Sequence, residues 1–207
     1  MESFSTEEQQ VEAIKRFWKE NGTAIILGAV IGLGGLWGWR YYTETQIAER
    51  EQASTQYEQL VSALGADEKG FSAAADYIKN NPENSYAMMT ALQLAKSAVD
   101  SKDFAEAQKQ LSWAAEHADD NAIKSLVQLR LARIQLAQEK ADDAIKTLSG
   151  INMDAYSASV EEIKGDAYSQ LGQYEQARQA YVASLDKNAN NPLLQLKLDN
   201  LAALESK

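Results

Sequence analysis

The chain has 207 residues, 20 Lys+Arg against 30 Asp+Glu, a formal net charge of -10, no cysteine and one histidine, His117. That inventory excludes disulfide staples and thiolate metal sites. It also leaves almost no material for a Ser-His or Cys-His catalytic pair or a multi-histidine metal centre. The excess acid lies in residues 43–207, with 16 basic against 25 acidic side chains, so no basic stripe of the nucleic-acid-binding kind is present and attraction to anionic lipid is disfavoured.

The first 21 residues form a short charged tail, with Glu7, Glu8 and Glu12 against Lys15 and Arg16. A run of 19 residues without charge follows, Asn21 to Trp39. As a helix it is roughly 28 Å long, close to the ~30 Å hydrocarbon core of a bilayer. The run holds six glycines, which weaken a helix in water but are tolerated in lipid, where no other local backbone arrangement satisfies the amides. Phe17 and Trp18 sit among Lys15, Arg16 and Lys19 at one end, and Trp37, Trp39, Tyr41 and Tyr42 cluster with Arg40 at the other. Aromatic belts and snorkelling cations mark membrane interfaces in this way. A buried soluble helix is seldom charge-free all round. A cleaved signal peptide ends in small residues rather than Trp-Gly-Trp-Arg, and an interfacial helix has a polar face. The segment 22–42 is therefore read as a transmembrane helix. Lys15, Arg16 and Lys19 before it, against Arg40 and Arg50 after it, point to a cytoplasmic N-terminus and a C-terminal part across the membrane. Gly28/Gly32 and Gly34/Gly38 are two Gly-x-x-x-Gly pairs, candidates for a transmembrane helix contact.

Beyond Tyr42 only two prolines occur, Pro82 and Pro192. Apolar residues recur three and four apart, as at Leu126, Leu129, Leu131, Ile134 and Leu136, which predicts helix throughout. One helix is expected from about Tyr41 through Leu64. Breaks are expected at Gly65 to Gly70, Asn80-Asn81-Pro82, Ser101-Lys102-Asp103, Asp119-Asp120-Asn121, Ser149 to Asn152, Gly172-Gln173 and Asn188 to Pro192. A period is visible. Phe104-Ala-Glu-Ala107, Ala141-Asp-Asp-Ala144 and Tyr174-Glu-Gln-Ala177 are one motif. Each is followed by a large residue four positions on (Leu111, Leu148, Tyr181) and preceded by a small one twelve positions back (Ala95, Ala132, Gly165). Small residues let two helices of a hairpin cross closely, and the large one fills the gap between hairpins.

This pattern resembles the tetratricopeptide repeat. The last unit matches best, through Gly165, Tyr168, Gly172, Tyr174, Ala177 and Tyr181, and departs from the pattern at Glu161 and Lys164. The expected architecture is all-α: one N-terminal transmembrane helix followed by a tetratricopeptide-like helical-hairpin solenoid over 43–207. Its repeats are expected at about 88–121, 125–156 and 157–190, with a capping helix over 192–206. Residues Phe71 to Pro82 suggest half of a degenerate further unit.

No chemistry beyond binding is indicated. Asp142-Asp143 and Glu161-Glu162 are neighbours on helices, about 100° apart around the axis, so they do not converge as acid and base. No phosphate loop follows a strand, and no cofactor is expected. Stacked helical hairpins leave a concave groove. On the repeat register, Met89, Leu92, Lys96 and Val99 face it from one unit and Leu126, Leu129, Arg133 and Leu136 from the next, a lining suited to extended polypeptide. Trp113 is expected in the core, and His117 is expected to be exposed without a role. The Lys/Asn set with which some tetratricopeptide domains clamp a C-terminal carboxylate is not present.

Gln10-Val-Glu-Ala-Ile-Lys-Arg-Phe17, Glu20-Asn-Gly22, Gly38-Trp-Arg-Tyr41 and Leu129-Arg-Leu-Ala-Arg133 together resemble the ancillary SecYEG translocon subunit family of Gram-negative bacteria, over essentially the full chain. The resemblance implies a single-pass inner-membrane protein with a periplasmic repeat domain. It implies association with the SecYEG translocon and with a membrane-anchored periplasmic chaperone of the prolyl-isomerase type, in the handling of newly exported polypeptides. The residues alone lead to a membrane-anchored polypeptide-binding module, not an enzyme. The rival readings are a scaffold of another envelope complex and a regulator acting through the N-terminal tail.

Overall fold

The computed structural model describes residues 7–64 and 68–205. The first six residues of the tail, positions 65–67 of the expected Gly65–Gly70 break and the end of the expected capping helix at 206 lie outside the described residues. So do the side chains of Glu7, Glu8 and Leu204.

The described residues form nine α-helices and no strand: α1 (Glu7–Ala63), α2 (Glu68–Asn80), α3 (Ser85–Asp100), α4 (Phe104–Glu116), α5 (Asn121–Ala137), α6 (Ala141–Ser149), α7 (Ser157–Gln170), α8 (Tyr174–Lys187) and α9 (Pro192–Glu205). They fall into two units, one up to Ser54 and one from Thr55 onward.

The first unit is α1 as far as Ser54. From Thr23 through Tyr42 every residue is exposed, including Leu36 at 68% and Trp37 at 73%. A helix of a soluble core would have this stretch covered. The polar side chains at its ends return to their own helix. Asn21 Nδ2 donates to the Phe17 carbonyl at 3.1 Å, and the Thr43 and Thr45 hydroxyls donate to the Trp39 and Tyr41 carbonyls at 2.9 Å. Groups satisfied in this way lose less on leaving water. Trp37 stacks on Tyr41 with centroids 6.0 Å apart, and Arg40 Nε meets Glu44 Oε1 at 2.7 Å.

The second unit stacks hairpins α3–α4, α5–α6 and α7–α8, with α2 before them and α9 after. Caps set the helix starts. The Asn84 side chain accepts from the Tyr86 amide at 2.9 Å, Asp103 from Glu106 at 3.0 Å, and Asp120 from Ala122 and Ile123 at 2.9 Å. These satisfy amides that have no partner inside the helix. The motif positions behave as their sizes predict: Ala95, Ala132 and Gly165 are buried, as are Leu111, Leu148 and Tyr181.

The three hairpin turns are one device. Lys102, Glu139 and Gly172 have φ of 62°, 61° and 71°. The next amide reaches back to the carbonyl of Ala98, Gln135 or Tyr168 at 2.8–2.9 Å, the Schellman closure of a helix end. The turn at Gln138-Glu139-Lys140 was not among the expected breaks, because it carries no Gly, Pro, Asn or Asp. A single 3-10 turn over Asp154–Tyr156 was likewise not anticipated. A side chain in the left-handed region costs about 1 kcal/mol. Glu139→Gly should therefore raise unfolding stability by up to about 1 kcal/mol, while Gly172→Ala should lower it by about as much. Chemical denaturation reads both, and the account fails if Glu139→Gly destabilises.

Apolar burial forms three clusters. The first joins α2 to α5 through residues such as Ile78, Leu94, Leu111, Val127 and Leu131. The second joins α5 to α7 through Leu129, Ala132, Leu148, Val160 and Ile163. The third binds α9, through Leu194 and Leu201, to Ala177 and Tyr181 of α8. Helix α5 therefore buries two faces, one toward each neighbouring hairpin. Trp113 packs against the first cluster. His117 lies exposed at the end of α4, stacked on Trp113 at 4.0 Å with Nδ1 2.9 Å from the Trp113 carbonyl oxygen.

Candidate functional site

A groove of about 590 Å³ lies between α3, α5 and the last turns of α1. Met89, Leu92, Ala95 and Val99 of α3 supply an apolar floor, with Leu111 and Ile134 behind. Tyr57, Gln93, Lys96, Arg130 and Arg133 supply the polar lining. The Tyr57 ring rests against Tyr86, with centroids 5.7 Å apart.

The structure brings five of the eight expected groove residues together: Met89, Leu92, Lys96, Val99 and Arg133. Leu126 is 39% exposed on α5 but is not in the lining. Leu129 and Leu136 require a correction. Leu129 is 3% exposed inside the second cluster, and Leu136 packs against that cluster. The reason is the double burial of α5. With Leu131, Val127 and Ile134 turned to one hairpin and Leu129 and Ala132 to the other, the face left for the groove is Arg130 and Arg133. Arg130 was missed, yet the 37-residue shift from Ala95 to Ala132 that maps Lys96 onto Arg133 also maps Gln93 onto Arg130.

The lining contains no carboxylate. Lys96, Arg130 and Arg133 are exposed, and their side chains make no hydrogen bond or ion pair with any described residue. In a part of the chain carrying 25 acidic against 16 basic side chains, three unpaired cations around one apolar floor are a local reversal of sign.

The opposite arrangement closes the other end of the stack. Lys197 of α9 donates to Glu162 at 3.0 Å and to the Asp166 carboxylate at 2.8 Å. Tyr181 Oη donates to Asp166 at 2.7 Å, and the Lys197 ammonium sits 5.7 Å from the Tyr181 ring centroid. Burial works against the Lys197 charge, but the bonds to Asp166 and Glu162 outweigh it and hold the amine above its ordinary value. Burial, with the Asp166 bond second, pushes the Tyr181 hydroxyl up. Both protonated forms favour the folded state. Their stabilisation is full below the unfolded values, ~10 for Tyr and ~10.4 for Lys, and is lost as pH rises beyond them. Lys197→Met should cost about 1–2 kcal/mol, since the bonds are charge-assisted but partly solvated. It should also expose the α9 amides to hydrogen exchange before those of α3. Unchanged α9 protection would refute this role.

The adjacent carboxylates diverge. Glu161 pairs with Lys164 at 2.8 Å, while Glu162 turns to Lys197. Glu161 and Lys164, which depart from the repeat pattern, thus satisfy each other where both are half-buried. Among the described residues no three His, Cys, Asp or Glu side chains gather as a metal site.

In the first unit, Gly28, Gly32, Gly34 and Gly38 have open space where a Cβ would stand. At about 100° per residue, Gly28 and Gly32 lie within about 40° of each other, and Gly34 and Gly38 share a different face. Gly35, not among the expected contacts, falls on the Gly28/Gly32 face and is equally open.

Residues 15–203 match a family model described as a tetratricopeptide repeat-like domain. Three curated relatives are each named ancillary SecYEG translocon subunit. That of Escherichia coli is 34% identical over 98% of this chain and all of the relative. That of Haemophilus influenzae is 31% identical and that of Aggregatibacter actinomycetemcomitans 35% identical, each over 94% of this chain and 97% of the relative.

Proposed function

Since the chain belongs to the tetratricopeptide repeat-like family of ancillary SecYEG translocon subunits, a family of accessory subunits and not of enzymes, we propose that it anchors a polypeptide-binding groove beside the SecYEG translocon. The observation that carries this reading is the presence of two surfaces: a 20-residue stretch, 23–42, exposed at every residue, and an apolar groove on the stacked hairpins. The one described helix long and apolar enough to cross a membrane is α1. With the family, it supports a single-pass inner-membrane protein.

On this reading residues 1–21 are a cytoplasmic tail, 22–42 the membrane span and 43–207 the periplasmic repeat domain. Lys15, Arg16 and Lys19 ahead of the span support that orientation. The anchor confines the groove to the membrane plane, so individually weak contacts with an emerging chain act at high effective concentration. The acidic remainder of the domain keeps it soluble and discourages indiscriminate association. A membrane-anchored periplasmic prolyl-isomerase-type chaperone is the partner to which bound chains are passed. The faces of Gly28/Gly32 and Gly34/Gly38 offer close approach to other membrane helices.

Photo-cross-linkers at Gly28 and Gly34 in native membranes test the assignment. Translocon subunits, and the chaperone beside them, are the expected adducts. Adducts only with division or wall-synthesis proteins would replace the translocon reading with that of a scaffold.

A further inference from the structure

We propose that the groove selects polypeptide segments in which acidic side chains alternate with apolar ones, the carboxylates being taken by Lys96, Arg130 and Arg133. This deepens the groove reading given above and rests on it. The apolar floor has no sequence preference beyond hydrophobicity. The cations around it do, because each is exposed, unpaired among the described residues, and directed to a groove without a carboxylate.

The fold contains its own version of a completed site. Shifted by the 33 residues that separate Ala132 from Gly165, Arg133 corresponds to Asp166. There the neighbouring helix supplies the opposite charge, with Lys197 2.8 Å from the Asp166 carboxylate. At the corresponding junction between α3 and α5 the charges are Lys96, Arg130 and Arg133, all of one sign. Nothing in the described chain neutralises them. A bound segment carrying carboxylates makes the pairing there that α9 makes at the other end.

The lining favours polypeptide over a lipid headgroup. Along α3 it extends from Met89 to Val99, about 15 Å at the rise of a helix, the length of four or five extended residues. The net acidity of residues 43–207 opposes approach to an anionic bilayer. Exposed ion pairs contribute little individually, but three cations of one sign discriminate strongly between acidic and basic ligands.

The test uses the full-length protein in nanodiscs of zwitterionic lipid and three fluorescent peptides with the same apolar positions. The intervening positions are Glu, Gln or Lys. The Glu peptide should bind at least tenfold more tightly than the Lys peptide at low ionic strength, and the ratio should shrink as salt is added. R130Q/R133Q should erase the ratio, and an unchanged circular-dichroism melting curve demonstrates an intact fold. R130E/R133E should invert the preference. Equal binding of the Glu and Lys peptides to the unaltered protein would overturn charge selection and leave the groove standing. Failure of all three peptides would overturn the groove reading itself. If vesicles containing anionic lipid displaced the Glu peptide from the unaltered protein, the cations would belong to a lipid site and the proposal would fall.

Discussion

Gly165→Ala should destabilise the repeat unit by about 2 kcal/mol, even though alanine is the better helix former. A Cβ on Gly165 would lie 2.3 Å from Cδ1 and Cε1 of Tyr181. That ring is 3% exposed, and its hydroxyl is held by Asp166 at 2.7 Å. The obstruction is therefore the body of a fixed ring, not the end of a mobile side chain. So close an approach places the overpacking cost at about 3 kcal/mol, the upper end of its usual range, against a propensity gain of about 1 kcal/mol at an interior position. The observable is a fall in melting temperature of about 4–8 °C for a unit of this size. Gly165→Leu should do more and abolish cooperative folding of the last hairpin. The partner is identified by a double-mutant cycle: Gly165→Ala combined with Tyr181→Ala should cost at least 1 kcal/mol less than the sum of the single changes. Additive costs would mean that some other neighbour opposes the new methyl. Because α9 docks on the same tyrosine, the variant should loosen α9 as well.

Removal of residues 22–42 should shift the protein from the membrane fraction to the soluble fraction completely while leaving groove affinity for peptides unchanged. The stretch has no charged residue from Asn21 to Trp39 and is exposed at every residue from 23 to 42. Its exposed side chains include Ile26, Leu27, Val30, Ile31, Leu33 and Leu36, each at least 56% exposed. Leu, Ile and Val each favour insertion by about 0.3–0.6 kcal/mol at a helix centre, and a charge there opposes it by about 2.5–3.5 kcal/mol. A single Val30→Asp should consequently impair insertion, and a second charge at Gly34 should prevent it. Recovery of translocon subunits with the shortened protein at the level of the full-length one would show that the repeats, not the span, make that association.

The span was legible because lipid imposes a one-dimensional rule: length without charge. The hairpins were legible because the small residue at the crossing and the large one between pairs recur at near-constant spacing. The groove was only partly legible, and α5 explains why. A middle helix of a stack is buried on two sides, so its apolar residues do not mark one face. Leu129 and Leu136 were drawn to the groove when the open face was Arg130 and Arg133. The turn at Glu139 escaped because its left-handed residue carries an energetic cost instead of a glycine. The Lys197 cluster escaped for another reason. Lys197 stands 31 and 35 residues from its carboxylate partners on α7, so no local motif joins them, and the lysine sits within a leucine-rich helix.

If the groove between α3 and α5 holds exported chains at the membrane, those chains must touch its floor and not the far side of the stack. The direct measurement is photo-cross-linking in native membranes from Leu92, in the groove, and from Val182, which is 45% exposed on α8 and outside the groove lining. A translocating polypeptide arrested in mid-passage should give adducts from Leu92 and none from Val182. Adducts from Val182 alone, or from both positions equally, would contradict the assignment.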